Sequence, residues 1–221
     1  MRKLLIVAAI VASFASFTAA QDTDKRGEFF AGYSLLRTDV NTEDFEDFGD
    51  SNDEPFKNLN GFNVAATGYF TPRVGITGDF SAHFKTEDGF GFPAVIGAPT
   101  SAEAKARTFN FLGGPQVRFT NSTRVTPFVR ALAGVQHNRI EFDATGGTVN
   151  TDFETSSTDF ALALGGGLDI GVSERVAIRA FQIDYNPVFA RDRSISFGGI
   201  NDTIDGERVD NVRFSVGVVF K

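Results

Sequence analysis

From Gly27 onward, hydrophobic side chains recur at every second position in successive segments of the chain. This two-residue period is that of a β-strand with different surroundings on its two faces. In the clearest segment, Arg73 to Lys85, valine, isoleucine, phenylalanine and alanine alternate with glycine, threonine, aspartate, serine and histidine. The same alternation runs through residues 62–70, 108–119, 159–170 and 211–220. These segments predict strands.

Three further segments are predicted to be strands although their pattern is less regular. Glu28 to Leu36 and Val125 to His137 each place some large apolar residues on the polar face. In Arg175 to Tyr185 the phase changes midway, because Val176 and Ile178 lie on one face and the later apolar residues on the other. A β-bulge near Ala180, or packing in a wide lumen, would account for this change.

The connectors between the eight predicted strands alternate between short and long. The short ones are Thr71–Arg73, Thr120–Arg124 and Val172–Arg175, and the long polar ones are about Thr38–Asn58, Thr86–Glu103, Asn138–Ser157 and Pro187–Arg208. All short turns then lie at one end of the sheet, together with both termini. An even strand number with this asymmetry predicts an all-β fold: an eight-stranded antiparallel up-and-down transmembrane β-barrel with short periplasmic turns and four long surface loops.

Alternation alone does not say which face points inward, so a soluble lipocalin-like barrel is the alternative architecture. The polar faces combine small residues with a few charges, as a narrow lumen requires, whereas the apolar faces are uniform and rich in phenylalanine, as a lipid-facing band requires. The four long connectors also hold 19 of the 28 acidic residues. We therefore expect the phenylalanines to face lipid.

The N-terminus has the features of a secretory signal peptide. Arg2 and Lys3 precede the apolar run Leu4 to Ala12, and small residues follow up to Ala20. An uncleaved anchor is the alternative, but this run is shorter than the roughly 20 residues of a spanning helix. The predicted division is a signal peptide at 1–20 and an outer-membrane barrel domain at 21–221. Cleavage of the signal peptide removes Arg2 and Lys3, which changes the net charge from -7 to -9.

Composition excludes several classes of function. The chain has no cysteine, which rules out disulfides, cysteine-ligated zinc and thiol catalysis. Its net charge of -7 argues against a nucleic-acid partner, because a phosphate backbone must be met by an excess of Lys and Arg. We predict no cofactor, no catalytic residue and no metal site.

Several motifs resemble the small bacterial outer-membrane β-barrel family of the OmpA and OmpX type. They are Ala31-Gly32-Tyr33, the run from Gly113 to Phe119, Thr126 to Val129, and Gly165 to Asp169 followed by Ser173 to Arg179. The resemblance implies an eight-stranded antiparallel barrel, and we expect a monomer in the cell outer membrane, in contact with outer-membrane lipid and lipopolysaccharide. It also implies insertion by the outer-membrane assembly machinery, which reads an aromatic-ended last strand; here Val212 to Phe220 fits, with Lys221 after it.

Nine charged residues are predicted to project into the lumen as a structural cluster: Glu28, Asp79, Lys85, Arg107, Arg118, Arg130, Asp169, Arg179 and Arg213. An eight-stranded barrel is only wide enough to be filled by side chains, and buried charges must pair. We expect an ion-paired plug. A narrow porin-like ion channel lined by the same residues is the alternative.

The histidines, His83 and His137, are the starting point for an enzymatic alternative, a lipid-modifying outer-membrane enzyme. Ser81 and Asp79 share a predicted strand face with His83, but two-residue steps of this kind occur in any strand. Alternation places His137 on the other face. The pattern does not define a catalytic triad.

The first long loop is unusually acidic, with aromatic residues between the carboxylates. The acidic residues are Asp39, Glu43, Asp44, Glu46, Asp47, Asp50, Asp53 and Glu54. We interpret it as a solvated surface loop; weak binding of a divalent cation and contact with another surface molecule are the alternatives. Together these features predict an integral outer-membrane barrel with a structural, adhesion or recognition role, toward a surface ligand that the sequence does not name.

Overall fold

The computed structural model describes residues 27–38, 58–88, 101–145, 151–191, 193–197, 200–204 and 208–221. All regular structure in these ranges is β-strand, and none of them contains a helix able to cross a bilayer. The predicted signal peptide, 1–20, and the acidic residues from Asp39 to Glu54 lie outside the described residues.

The described chain forms twelve strands in sequence order. Eight of them build the barrel: β1 (Gly27–Arg37), β2 (Asn58–Tyr69), β3 (Val74–Asp88), β4 (Ser101–Arg118), β5 (Val125–Thr145), β6 (Thr151–Gly171), β7 (Val176–Tyr185) and β12 (Val212–Phe220). The other four are short and lie between β7 and β12: β8 (Val188–Phe189), β9 (Arg193–Phe197), β10 (Ile200–Ile204) and β11 (Arg208–Val209).

The sheet closes on itself. Each barrel strand pairs antiparallel with its neighbour in sequence, and the first strand pairs with the last, for example Tyr33 of β1 with Val216 of β12. β12 also pairs with β7, and β7 with β6, which completes an eight-stranded ring. Closure provides hydrogen-bond partners for the backbone within lipid, because the ring formed by these eight described strands has no open edge. The predicted fold is confirmed.

The side-chain faces follow the predicted sign. Phe70, Ile76 and Phe111 point outward and are 65%, 55% and 54% exposed, while Asn63, Ser81 and Arg213 point inward and are fully buried. Most of the phenylalanines thus lie on the outside, and the buried charged and amide side chains lie inside. This arrangement contradicts the soluble lipocalin-like alternative, whose core would be the apolar face.

Two of the predicted long loops are largely strand. The connector Pro187–Arg208 contains the short strands β8 to β10 and the start of β11, and the connector Asn138–Ser157 continues the barrel strands β5 and β6. β5 and β6 are 21 residues each, about twice what a tilted strand needs to cross the bilayer. Their pairing continues through Arg139 opposite Ser156 and beyond, into the range predicted as the connector Asn138–Ser157. Polar residues support this extension, since Arg139 forms an ion pair of 2.7 Å with Glu154. Alternation continues in this range, but its sign is different. Arg139, Glu141 and Asp143 continue the outward face of Val135, and Ile140, Phe142 and Ala144 occupy the positions between them, so the pattern is no longer that of a lipid-facing strand.

The phase change in β7 is a β-bulge. Asp169 of β6 pairs with Arg179, whereas the preceding Leu168 pairs with Phe181, which leaves Ala180 as the extra residue. Ala180 and Phe181 both face outward. The bulge restores an inward direction to Gln182 and Asp184, which are fully buried.

Candidate functional site

Four charged side chains from four strands meet at the middle of the lumen. Asp79 of β3, Arg130 of β5, Asp184 of β7 and Arg213 of β12 all have side chains with 0% exposure. Arg130 contacts Asp79 at 3.0 Å and Asp184 at 2.6 Å. Arg213 contacts the same two carboxylates at 2.8 Å and 3.1 Å. We call these four residues the central ring; its charges alternate and sum to zero.

Neutral side chains complete the hydrogen bonding of the central ring. Asn63 donates to Asp79 at 2.9 Å, and Gln182 donates to Asp184 at 2.9 Å. Arg213 donates to the Ser81 hydroxyl at 2.8 Å. Buried charges are tolerated only with such additional partners, because desolvation otherwise exceeds the Coulombic attraction.

A second layer lies nearer the short-turn end. Arg179 holds Asp169 with two hydrogen bonds, 2.8 Å and 3.0 Å long, and donates a third to Gln182 at 2.7 Å. Its guanidinium lies 4.5 Å from the ring centroid of Phe30 and 4.1 Å from that of Phe128. These contacts explain why large aromatic residues interrupt the polar face of β1 and β5: they stack on a buried cation. Gln182 links this layer to the central ring.

A third layer closes the lumen at the base of the second turn. Arg118 pairs with Glu28 at 2.6 Å, and the Tyr69 hydroxyl donates to the same carboxylate at 2.9 Å. Gln116 donates to the Tyr69 oxygen at 2.8 Å, and the Arg118 guanidinium lies 3.9 Å from the Tyr69 ring centroid. The three layers together occupy the axis from the short-turn end to the middle.

Eight of the nine residues predicted for the lumen lie on its wall. Six take part in the layers as buried groups, Glu28, Asp79, Arg130, Asp169, Arg179 and Arg213; Arg118 is partly buried, and Lys85 is half-buried near the opposite end. The prediction for Arg107 is wrong. Arg107 lies on the same face of β4 as Phe109 and Phe111, and its 41% exposed side chain pairs with Glu141 of β5 at 3.4 Å.

The sequence prediction missed Asp184 and Gln182, which are essential to the layers. Strict alternation from Val176 puts both on the outer face, toward lipid. The signal that could have found them is the phase change itself, because one extra residue at Ala180 reverses every later side chain.

The histidines do not form a catalytic group among the described residues. His83 Nε2 lies 2.9 Å from the Ser34 hydroxyl, but both side chains are fully buried, and His83 Nδ1 has no hydrogen-bond partner there to orient the ring. His137 faces outward and contacts the Thr158 hydroxyl at 2.8 Å. Within the described ranges, no three histidine or carboxylate side chains are grouped to hold a metal.

Comparison with solved structures finds similar chains at low sequence identity. The attachment invasion locus protein Ail of Yersinia pestis is 18% identical, with 88% of this chain and 96% of that chain covered and a TM-score of 0.47. OprG of Pseudomonas aeruginosa is 12% identical, with 88% and 94% covered and a TM-score of 0.49. Neisserial surface protein A is 15% identical, with 88% and 96% covered and a TM-score of 0.47.

No curated protein matches this chain. The family model described as the outer membrane protein beta-barrel domain matches residues 6–221. That match spans nearly the whole chain and agrees with the closed barrel and its lipid-facing phenylalanines. The chain therefore belongs to the outer membrane protein β-barrel domain family, and its location is the outer membrane.

Proposed function

We propose that this protein is a sealed outer-membrane anchor that acts through the strands and loops it displays at the cell surface, in adhesion or recognition. The central ring is the observation that carries this proposal. Its four side chains have no exposed surface, and they span a lumen that eight strands leave only wide enough for side chains. A barrel closed in this way supports function outside the membrane rather than through it.

The extended hairpin of β5 and β6 supports a surface role. Above the lipid-facing band its outer face carries the ion pair of Arg139 with Glu154 at 2.7 Å. Asp143 of the same hairpin pairs with Lys105 of the neighbouring strand β4 at 3.4 Å. Its inner face lines a cavity of about 520 Å³ together with Val188, Arg191 and Asn211. An ordered sheet that stands clear of the bilayer is a suitable platform for contact with another molecule.

The test separates the hairpin from the barrel. In one variant, residues 140–155 are replaced by Asn-Gly, so that a two-residue turn joins the paired Arg139 and Ser156. Wild type and variant are displayed on a non-aggregating Gram-negative host, and settling of the cells and attachment to glass are measured. We expect only wild type to promote settling and attachment. Both proteins should show heat-modifiable mobility in gel electrophoresis, which reports a folded barrel. Equal attachment would exclude the hairpin as the recognition element.

A narrow channel is the second candidate, and the cavities favour it. A cavity of about 720 Å³ opens at the short-turn end, and the 520 Å³ cavity lies toward the other end. In a channel, rearrangement of the central ring would control the path. Planar-bilayer recordings distinguish the two: the sealed anchor predicts no discrete conductance from wild type, whereas a channel predicts conductance that Asp79→Ala or Arg130→Ala alters. No catalytic role is proposed.

A further inference from the structure

The first and third short turns have the same construction. In the first, the Thr71 hydroxyl accepts hydrogen bonds from the backbone N–H groups of Arg73 and Val74, at 3.3 Å and 2.8 Å. In the third, the Ser173 hydroxyl accepts from Arg175 and Val176 at 3.3 Å and 3.1 Å. Each turn therefore presents an arginine immediately before the valine that begins the next strand.

The second turn reaches the same result by a different route. Thr123 accepts from the backbone N–H of Val125 at 3.2 Å, and Arg124 stands between them. We call Arg73, Arg124 and Arg175 the arginine rim. All three are exposed, and their side chains make no ion pair or hydrogen bond with any residue in the described ranges.

Each arginine of the rim has a lipid-facing apolar residue at the other side of its turn. Phe70, Phe119 and Val172 directly follow the preceding strands and are 65%, 51% and 56% exposed. An apolar side chain in the acyl region beside a cation at its boundary is the arrangement of a membrane interface. The rim thus lies at the depth of the head groups.

A cavity of about 720 Å³ lies between the second turn, the third turn and the end of β12. Its charged lining residues are Arg118, Arg124, Glu174 and Lys221, so cations exceed acids. Threonine and serine hydroxyls also line it, from Thr120, Thr123, Thr126 and Ser173. Guanidinium groups and hydroxyl donors together match the oxygens of a phosphate.

We propose that the arginine rim binds the phosphate groups of anionic phospholipids in the periplasmic leaflet. A phosphodiester that carries a net negative charge gains from each nearby Lys or Arg, whereas a zwitterionic head group brings its own cation. The lipid is favoured over a soluble phosphate because the apolar partners Phe70, Phe119 and Val172 contact the acyl chains of the same molecules. The barrel then recruits anionic lipid at one end.

The test measures lipid selectivity at the protein surface. The full chain is reconstituted in phosphatidylcholine bilayers that contain spin-labelled phosphatidylglycerol or spin-labelled phosphatidylcholine, and the motionally restricted fraction of each label is compared by electron paramagnetic resonance. We expect phosphatidylglycerol to be preferred about threefold at low salt, and the preference to fall as salt screens the charges. The triple variant Arg73→Gln, Arg124→Gln, Arg175→Gln should lose it.

A matched control removes the same number of cations from the other end of the barrel. Lys105→Gln, Arg107→Gln and Arg139→Gln are outward-facing, and their partners Asp143, Glu141 and Glu154 already neutralise them. This control should keep the preference, as should replacement of the rim by three lysines, which also guards against a folding defect. Retention of the preference without the rim, or its loss in the control, overturns the proposal. Displacement of the labelled lipid by inorganic phosphate, beyond the effect of chloride at equal ionic strength, would also overturn it in favour of a soluble anion.

Discussion

Arg130 and Asp184 form a two-point ion pair across the lumen, with Nε 2.9 Å from Oδ1 and Nη2 2.6 Å from Oδ2. The planar fork fixes both groups and leaves Nη1 of Arg130 free to reach Asp79 at 3.0 Å. One side chain thereby joins β3, β5 and β7. A lysine could not replace it, since a single ammonium cannot make this bidentate contact.

The first prediction concerns the charge balance of the central ring. Asp184→Asn leaves Arg130 and Arg213 with Asp79 as the remaining carboxylate of the ring, at a place where neither guanidinium is exposed. We expect the free energy of unfolding to fall by about 3–5 kcal/mol, the usual effect of breaking a buried ion pair. The measurement is urea unfolding of the protein reconstituted in vesicles, monitored as the loss of heat-modifiable mobility in gel electrophoresis.

Asp210→Asn is the matched control for this variant. Asp210 pairs with Arg208 at 2.9 Å, but that arginine is 58% exposed, and surface pairs contribute less than about 1 kcal/mol. An equal loss in both variants would show that burial of the central ring does not determine barrel stability.

The fold was predictable from the sequence because lipid-facing phenylalanines and lumen-facing polar groups alternate over most strands. The wall positions of the site followed from the same rule. The predicted inward direction of Arg107 breaks this rule. Arg107 precedes Phe109 and Phe111 by two and four positions, so alternation places it on their outward face. Above the level of lipid the two faces exchange character, because Lys105 and Arg107 lie on the outside while Ala104 and Ala106 are buried. A polar face there does not indicate the lumen, so periodicity predicts neither strand length nor orientation.

The second prediction tests the β-bulge. Ala180 is the extra residue relative to both neighbours, since Ser215 pairs with Gln182 while Gly217 pairs with Arg179. Deleting Ala180 therefore makes β7 regular and keeps Arg179, Gln182 and Asp184 inward. We expect the deletion variant to fold with the unfolding midpoint changed little, as measured by urea titration in vesicles.

Deleting Ile183 removes one residue from the same strand with a different outcome. A regular strand then points Phe181 into the lumen and Gln182 toward lipid, because each slip of one residue reverses the faces. We expect failure to fold or a loss of several kcal/mol, as Gln182 would leave its hydrogen bonds with Arg179 and Asp184. If both deletions behave alike, the bulge does not set the direction of these side chains.

The third prediction concerns the wall beside Asp184. A Cβ atom at Gly165 would lie 2.1 Å from the Ile183 carbonyl oxygen and 2.5 Å from Asp184 Oδ1. Gly165→Ala should therefore push the ion pair out of position and cost about 1–3 kcal/mol of unfolding free energy. At Gly78, on the outer face, no atom lies within 4 Å of an added Cβ. Gly78→Ala in the same urea titration should be neutral, and a similar loss there would attribute the effect to strand glycines in general.

The last prediction is a pH dependence at the loop end of the barrel, where the Tyr185 hydroxyl donates to Asp210 Oδ1 at 2.6 Å. This hydrogen bond, with a smaller contribution from Arg208, lowers the pKa of Asp210 below its ordinary value of 3.8. A carboxyl group whose pKa is lowered by folding stabilises the folded state above its unfolded pKa, and the contribution disappears as the pH falls through the folded pKa. Tyr185→Phe should thus reduce the free energy of unfolding by less than about 1 kcal/mol near neutral pH, and the difference from wild type should shrink below pH 3.8.

Tyr33→Phe is the control, because the Tyr33 hydroxyl donates to the uncharged side chain of Asn60. Unfolding free energies measured from pH 3 to 7 should show the convergence for Tyr185→Phe alone; a pH-independent difference would mean that the carboxylate of Asp210 is not stabilised by this hydroxyl.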